Sequence, residues 1–246
     1  MRYIVADAGN SRIKWGIFDS GEWLSIEIHD SWSEGKIRTL LDRFPDIRSG
    51  MYCSVREVPS WLGIFFQKQG IHWIGLTHDL PLPVRIGYET PATLGRDRIA
   101  LAAGAAAMFP GKNILAIDAG TALTYELITA EGEYPGGNIS PGLRMRFAAL
   151  HQQTFSLPSV TPQMAPPLIG KNTRDAILAG VVNGILYEID NSINSLKNKY
   201  NDLIVILTGG DATYLSELLK NPIFVDENLV LFGLCTILRH LSENQV

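Results

Sequence analysis

Apolar residues run through Tyr3-Ile4-Val5-Ala6, give way to Asp7-Ala-Gly-Asn-Ser11, and resume at alternate positions through Ile13, Trp15 and Ile17 to an acidic-glycine turn at Asp19-Ser-Gly21. Apolar segments on both sides of a short polar, glycine-containing break predict strand, tight turn, strand. The same series returns at Leu115-Ala-Ile-Asp-Ala-Gly-Thr-Ala-Leu-Thr-Tyr-Glu-Leu-Ile-Thr-Ala-Glu-Gly132, with Asp118 in register with Asp7. Two copies so far apart are too few for a solenoid and predict two related domains or two halves of a pseudo-symmetric body.

Between and after the copies the pattern predicts alternating elements. Trp23–Ile28 reads as a third strand, and Glu34–Phe44 has helical apolar spacing (Ile37, Leu40, Leu41, Phe44) halted by Pro45. A strand follows at Gly50–Val55, a helix at Trp61–Gln69 and a strand at Ile71–Leu76. An Ala-rich helix is expected over Leu94–Phe109, a long one from Thr173 to about Tyr200, a strand at Leu203–Leu207 and a helix at Tyr214–Lys220. This mixture predicts an α/β layer structure. Pro110-Gly111 marks a boundary, giving domains of 1–112 and 113–246. Pro158, Pro162, Pro166 and Pro167 bar regular structure from Ser156–Asn172, which should be an ordered loop or lid.

The 246 residues are 46% hydrophobic and 19% charged, enough for one large or two modest cores. The net charge of −4, with both signs spread along the chain, offers no basic face for nucleic acid and no cationic amphipathic segment for a membrane surface. No apolar run approaches the roughly 18 residues of a membrane span, and the N-terminus does not read as a signal peptide. Cys53 and Cys235 stand among apolar residues, so buried free thiols and a cytoplasmic location are expected. The five histidines lack the paired spacing of a metal site.

Four stretches could carry chemistry. Asp7-Ala-Gly-Asn-Ser11 serves equally as a hairpin turn or as a phosphate site, with Gly9 admitting a phosphate to the backbone, Asn10 and Ser11 donating to its oxygens, Asp7 holding Mg²⁺ through water and Lys14 adding charge. The echo at Asp118-Ala-Gly-Thr121 favours the second, because two such hairpins could grip a polyphosphate. Thr208-Gly-Gly-Asp-Ala212 reads as a tight βα turn or as a seat for a purine and its sugar. In Thr93-Leu-Gly-Arg-Asp-Arg98, Asp97 either stabilises a helix N-terminus or, held ionised between Arg96 and Arg98, accepts a hydroxyl proton while an arginine binds an anion. Pro135–Gly142 reads as a rigid, tightly turning loop, either architecture or a substrate wall, and Asn172 or Thr173 can cap the long helix.

Together these segments resemble the type III pantothenate kinases of the acetate and sugar kinase, heat-shock ATPase and actin superfamily. The likeness runs nearly end to end: Asp7-Ala-Gly-Asn-Ser-Arg-Ile-Lys14, Tyr88 with Thr93–Arg98, Asp118-Ala-Gly-Thr-Ala122, Gly136-Gly-Asn-Ile-Ser-Pro-Gly142, Gly170-Lys-Asn-Thr173, Thr208-Gly-Gly210 and Asp226–Leu234. The resemblance implies two ribonuclease-H-like (actin-like ATPase) domains, with mixed sheets flanked by helices and the active site in the interdomain cleft. It implies that Asp7, Ala8, Gly9, Asn10, Ser11, Arg12, Ile13 and Lys14 bind ATP, with Asp7 near the Mg²⁺, and that Thr121 also contacts the nucleotide. Asp118 would bind an activating monovalent cation, K⁺ or NH₄⁺. Tyr88, Gly95, Arg96, Asp97, Arg98 and Thr173 would line the pantothenate pocket, with Asp97 as general base. Family members are homodimers, making Gly180 and Gly184 candidates for close subunit packing, with packing inside one chain the other reading. Ser11 stands where the family usually has Thr, and Glu126 where it usually has Asp.

The implied reaction is transfer of the ATP γ-phosphoryl to pantothenate, giving 4′-phosphopantothenate for coenzyme A synthesis. Alternatives on the same fold are an actin-like or heat-shock-like ATPase switch, a kinase with another acceptor, and a non-catalytic regulator.

Overall fold

The computed structural model describes residues 2–244, and these gather into two compact units. The first takes the chain up to Pro110, the short segment Gly132–Tyr134 and the chain from Leu229 onward; the second takes Gly111–Glu131 and Pro135–Asn228.

The first repeat folds as the hairpin β1 (Arg2–Ala8) and β2 (Ile13–Asp19), continued by β3 (Glu22–His29). Helix α1 (Glu34–Asp42) starts where the Ser33 hydroxyl accepts the Lys36 N–H at 3.5 Å, and it stops short of Pro45. Then come β4 (Ser49–Ser54), α2 (Trp61–Lys68), β5 (His72–Gly75), the short β6 (Arg85–Ile86) and α3 (Arg96–Met108). The strand order is β3-β2-β1-β4-β5, antiparallel from β3 to β1 and parallel from β1 to β5. Central β1 is almost wholly buried, while β3 alternates exposed and half-buried residues as a sheet edge should. One face packs Trp15, Phe66 and Trp73 in a stack, with Phe66 and Trp73 centroids 4.0 Å apart. Fully burying a side chain the size of Phe66 contributes about 1.5–3 kcal/mol.

The second repeat folds as β7 (Ile114–Ala119) and β8 (Ala122–Ile128), followed by β9 (Glu133–Tyr134), β10 (Gly136–Pro141), α4 (Leu143–Gln152), α5 (Thr173–Lys197), β11 (Ile204–Thr208), α6 (Ala212–Ser216) and β12 (Phe224–Val225). The second unit's sheet runs β10-β8-β7-β11-β12 with the same senses as the first, so the duplication extends from the hairpin to five strands. Its core joins Leu115, Ile117, Val205 and Leu207 to the apolar face of α5.

Several expectations change here. Pro135–Gly142 is no turning loop: Gly136–Pro141 is strand β10, whose glycines and terminal proline are tolerated because only one edge is paired. Helix α6 begins at Ala212 and ends at Ser216, earlier at both ends than the expected Tyr214–Lys220. Helix α4 was not expected, nor was α7 (Leu229–Glu243), which packs on α3 in the first unit. A simple division at 112/113 would assign both α7 and β9 to the other unit. The approach of α3 and α7 depends on two glycines, since a Cβ on Gly104 would lie 2.6 Å from the Leu229 carbonyl oxygen and one on Gly233 would fall onto the Ala100 carbonyl.

Candidate active site

In the first unit, β1 delivers Asp7 to the mouth of a four-residue turn, Gly9–Arg12, with Ala8 paired to Ile13 and Asp7 to Lys14 across the hairpin. Asn10, Ser11 and Arg12 are exposed, whereas Asp7 is only partly so. The parallel neighbour β4 sets Cys53 beside Asp7, and the thiol donates to Asp7 Oδ1 at 3.3 Å. The Asp7 carboxyl is pushed up to about 6, chiefly by burial; the Cys53 thiol lowers it, the negative charge of Asp97 raises it, and Lys14 lowers it. Burial, followed by the charges of Asp7 and Asp97, holds the Cys53 thiol well above its ordinary value, so it is a poor nucleophile.

This carboxyl makes stability depend on pH. Because the folded value of about 6 lies above the ordinary 3.8, the folded chain binds more protons between those values. The contribution of Asp7 is therefore greatest below the lower value and declines as pH rises to the upper one. Melting curves of wild type and Asp7→Asn from acid to neutral pH should show the variant gaining relative stability up to about 6 and holding it above. A difference independent of pH would contradict this.

Gly95 caps α3, and a Cβ there would lie 2.6 Å from Asp97 Oδ1, so the glycine makes room for the carboxylate. Asp97 Oδ1 accepts the Arg98 N–H at 2.9 Å, while its second oxygen has no hydrogen-bond donor among the described residues. The carboxylate thus anchors the helix start with one oxygen and presents the other. Arg96 is exposed, but Arg98 is buried with its guanidinium 5.7 Å from the Tyr88 ring centroid. Behind Tyr88 stacks Tyr134, at 6.4 Å between centroids. Strand β9 places it there by pairing with β6, and the Gly87 N–H donates to the Tyr134 carbonyl at 2.9 Å. Tyr88, Gly95, Asp97 and Arg98 are therefore brought together, and Asp97 lies close enough to Asp7 for their charges to interact.

In the second unit the corresponding turn is one residue shorter, with Asp118 paired to Thr124 and Ala119 to Leu123. The Gly120 N–H closes it by donating to the Ala122 carbonyl at 3.1 Å, and Thr121 is exposed at its tip. Gly209, at the end of β11, has φ of +94°, and a Cβ there would fall on Asp118 Oδ1 and lie 2.6 Å from the Ala119 carbonyl carbon. Gly142 packs as tightly on the turn from the other side, against Thr121 and Gly120. Gly210 has nothing within 4 Å of its Cβ position, so this side lies open. Glu126 is fully buried on β8, and Gly137 opposite it leaves the space that a side chain would take from its carboxylate. Thr173 lies exposed in the first turn of α5, behind the Asn172 cap that accepts the Asp175 N–H at 2.9 Å.

The model of the type III pantothenate kinase family matches residues 3–195. This chain belongs to that family. A type III pantothenate kinase of Christiangramia forsetii is 44% identical over 96% of this chain and 97% of its own, and one of Flavobacterium johnsoniae is 40% identical over 98% and 99%. The fold is shared with a glucokinase from an Antarctic psychrotroph, at 11% identity and a TM-score of 0.54 over 97% of this chain and 99% of that one.

For a type III pantothenate kinase, Tyr134 and Arg56 are the informative additions to the residues singled out from sequence. Tyr134 stands in a Gly/Pro-rich stretch with no periodicity, and only the β6–β9 pairing carries it to Tyr88. Arg56 sits in a polar connection after β4, where a lone arginine reads as surface charge; its side chain donates to the Gly9 carbonyl at 2.8 Å.

Proposed function

We propose that the chain phosphorylates the terminal hydroxyl of pantothenate with ATP, giving 4′-phosphopantothenate, the first step of coenzyme A biosynthesis, in the cytoplasm. The observation that carries this reading is the pairing, in one unit, of the Gly9–Arg12 turn behind Asp7 with an Asp97 carboxylate that keeps one oxygen for a substrate. Ala8 to Lys14 and Thr121 bind the nucleotide, and Tyr88, Gly95, Arg96, Arg98 and Thr173 bind pantothenate. Asp97 accepts the hydroxyl proton. A carboxylate is a weak base for an alcohol, yet a loose phosphoryl-transfer transition state lets the proton leave late.

The residues present suit Mg-ATP. A Cβ on Gly9 would meet only the Arg12 carbonyl, at 3.6 Å, so packing does not demand a glycine and the missing side chain leaves an approach open. No three acidic, histidine or cysteine side chains cluster among the described residues. A kinase Mg²⁺ takes most of its ligands from phosphates and water, so the single carboxylate of Asp7 suffices. Bound there, Mg²⁺ neutralises charge developing on the phosphates.

Asp118 holds a monovalent cation in this reading, and two copies of the chain associate as a homodimer, with Gly180 and Gly184 available for close packing because nothing lies within 4 Å of either Cβ position. ADP release from purified protein with Mg-ATP tests the whole. Release should require pantothenate and be faster in K⁺ than in Na⁺, and Asp118→Ala should lose that preference. Equal rates in both salts would remove the cation site, and ADP release without pantothenate would replace the kinase with an ATPase.

A further inference from the structure

The structure assigns Arg56 a positioning role: it locks the Gly9–Asn10 peptide in the orientation that the nucleotide phosphates require. This rests on the reading of Gly9–Arg12 as the ATP turn. Arg56 Nε donates to the Gly9 carbonyl at 2.8 Å, and Nη1 donates to the Asp30 carbonyl at 3.0 Å. The base of the side chain is itself fixed. The Arg56 N–H donates to Ser54 Oγ at 3.2 Å, the Ser54 hydroxyl donates to the Arg56 carbonyl at 2.8 Å, and the Val55 N–H donates to the Ala8 carbonyl at 3.1 Å.

A trans peptide is planar, with its C=O and N–H pointing opposite ways. Holding the Gly9 oxygen on the guanidinium therefore aims the Asn10 N–H away from Arg56. Without the tie, a glycine peptide in an exposed turn rotates readily and can offer its carbonyl to a phosphate, which repels it. The turn after β1 needs such a tie more than its counterpart, being one residue longer.

The counterpart is built differently. After β11 the backbone of Asp211 plays the part of Val55, its N–H donating to the Ala119 carbonyl at 3.0 Å. At that strand end Gly209, at φ of +94°, occupies the approach to the turn. The two copies thus differ at equivalent places, with the Arg56 guanidinium bonded to the first turn and Asp211, whose carboxylate accepts from Arg144 Nε at 3.5 Å, beside the second.

The test compares Arg56→Ala and Arg56→Lys with wild type in the full-length chain. Isothermal titration with Mg-ATP reads binding directly, melting reads folding, and steady-state kinetics separate the two substrates. One ammonium cannot bond two carbonyls in a planar fork, so both variants should bind Mg-ATP more weakly by roughly tenfold or more. The KM for ATP should rise alike, with the pantothenate KM within about twofold of wild type and the Arg56→Lys melting temperature within a few degrees. Wild-type affinity in Arg56→Lys would reduce the role to charge and overturn the proposal. So would parallel loss of both affinities together with the melting transition. If wild type binds Mg-ATP but does not phosphorylate pantothenate, the acceptor falls while the Arg56 role is still judged by titration. Failure of wild type to bind Mg-ATP overturns both.

Discussion

Replacing Asp97 with Asn should lower kcat by about 10²–10⁴-fold and leave Mg-ATP affinity nearly unchanged. The amide keeps an oxygen to accept the Arg98 N–H, now made at 2.9 Å, so the start of α3 survives. What it loses is the ability to take a proton with its other atom. The substitution also removes the negative charge that raises the Asp7 carboxyl, so the pH dependence of melting should move slightly toward the ordinary Asp range. Measuring kcat and both KM values beside a melting curve separates chemistry from folding. A near-normal kcat would reduce Asp97 to a helix-capping residue, the simpler role that its bond to Arg98 already performs.

The second large effect concerns stability. Gly233→Ala should destabilise the first unit by about 3 kcal/mol, the upper range for overpacking, because the new methyl group would coincide with the Ala100 carbonyl and only separation of α3 and α7 can relieve it. For a chain of 246 residues that corresponds to a fall in melting temperature of roughly 6–12 °C. Gly63→Ala, on the exposed side of α2, is the control, since its Cβ position meets nothing within 4 Å and Ala is the better helix former. Equal melting temperatures for Gly233→Ala and wild type would mean that the two helices pack less closely than described.

Most of the fold was legible because its elements carry strong local signals. The twin hairpins, the α1 region stopped by Pro45, the Ala-rich α3 and the long α5 all show periodicity or punctuation that survives any tertiary context. Strand β10 was not legible, since Gly136, Gly137 and Pro141 are turn residues by propensity and become a strand only through pairing with β8. Helix α6 was shortened because only Ala212 and Leu215 are buried on it. At the site, Asp7, Asp97 and the turn glycines stood out by residue type and spacing, and their roles came from the family likeness. Arg56 and Tyr134 act through contacts between residues distant in sequence, Arg56 with Gly9 and Tyr134 with Tyr88, which no linear pattern encodes.

Helix α7 packs against α3, β1, β2 and β4, and ten of its residues are buried. Core facing on β1, β2 and β4 therefore waits for side chains that are synthesised much later. The ribosome can release the second unit's sheet into solution while the first unit still lacks a wall, reversing the order in which the two were synthesised. Nascent chains halted just after Asn228 should consequently expose apolar surface on β1, β2, β4 and α3, and a chaperone bound there would let go only once Leu229–Glu243 had left the exit tunnel.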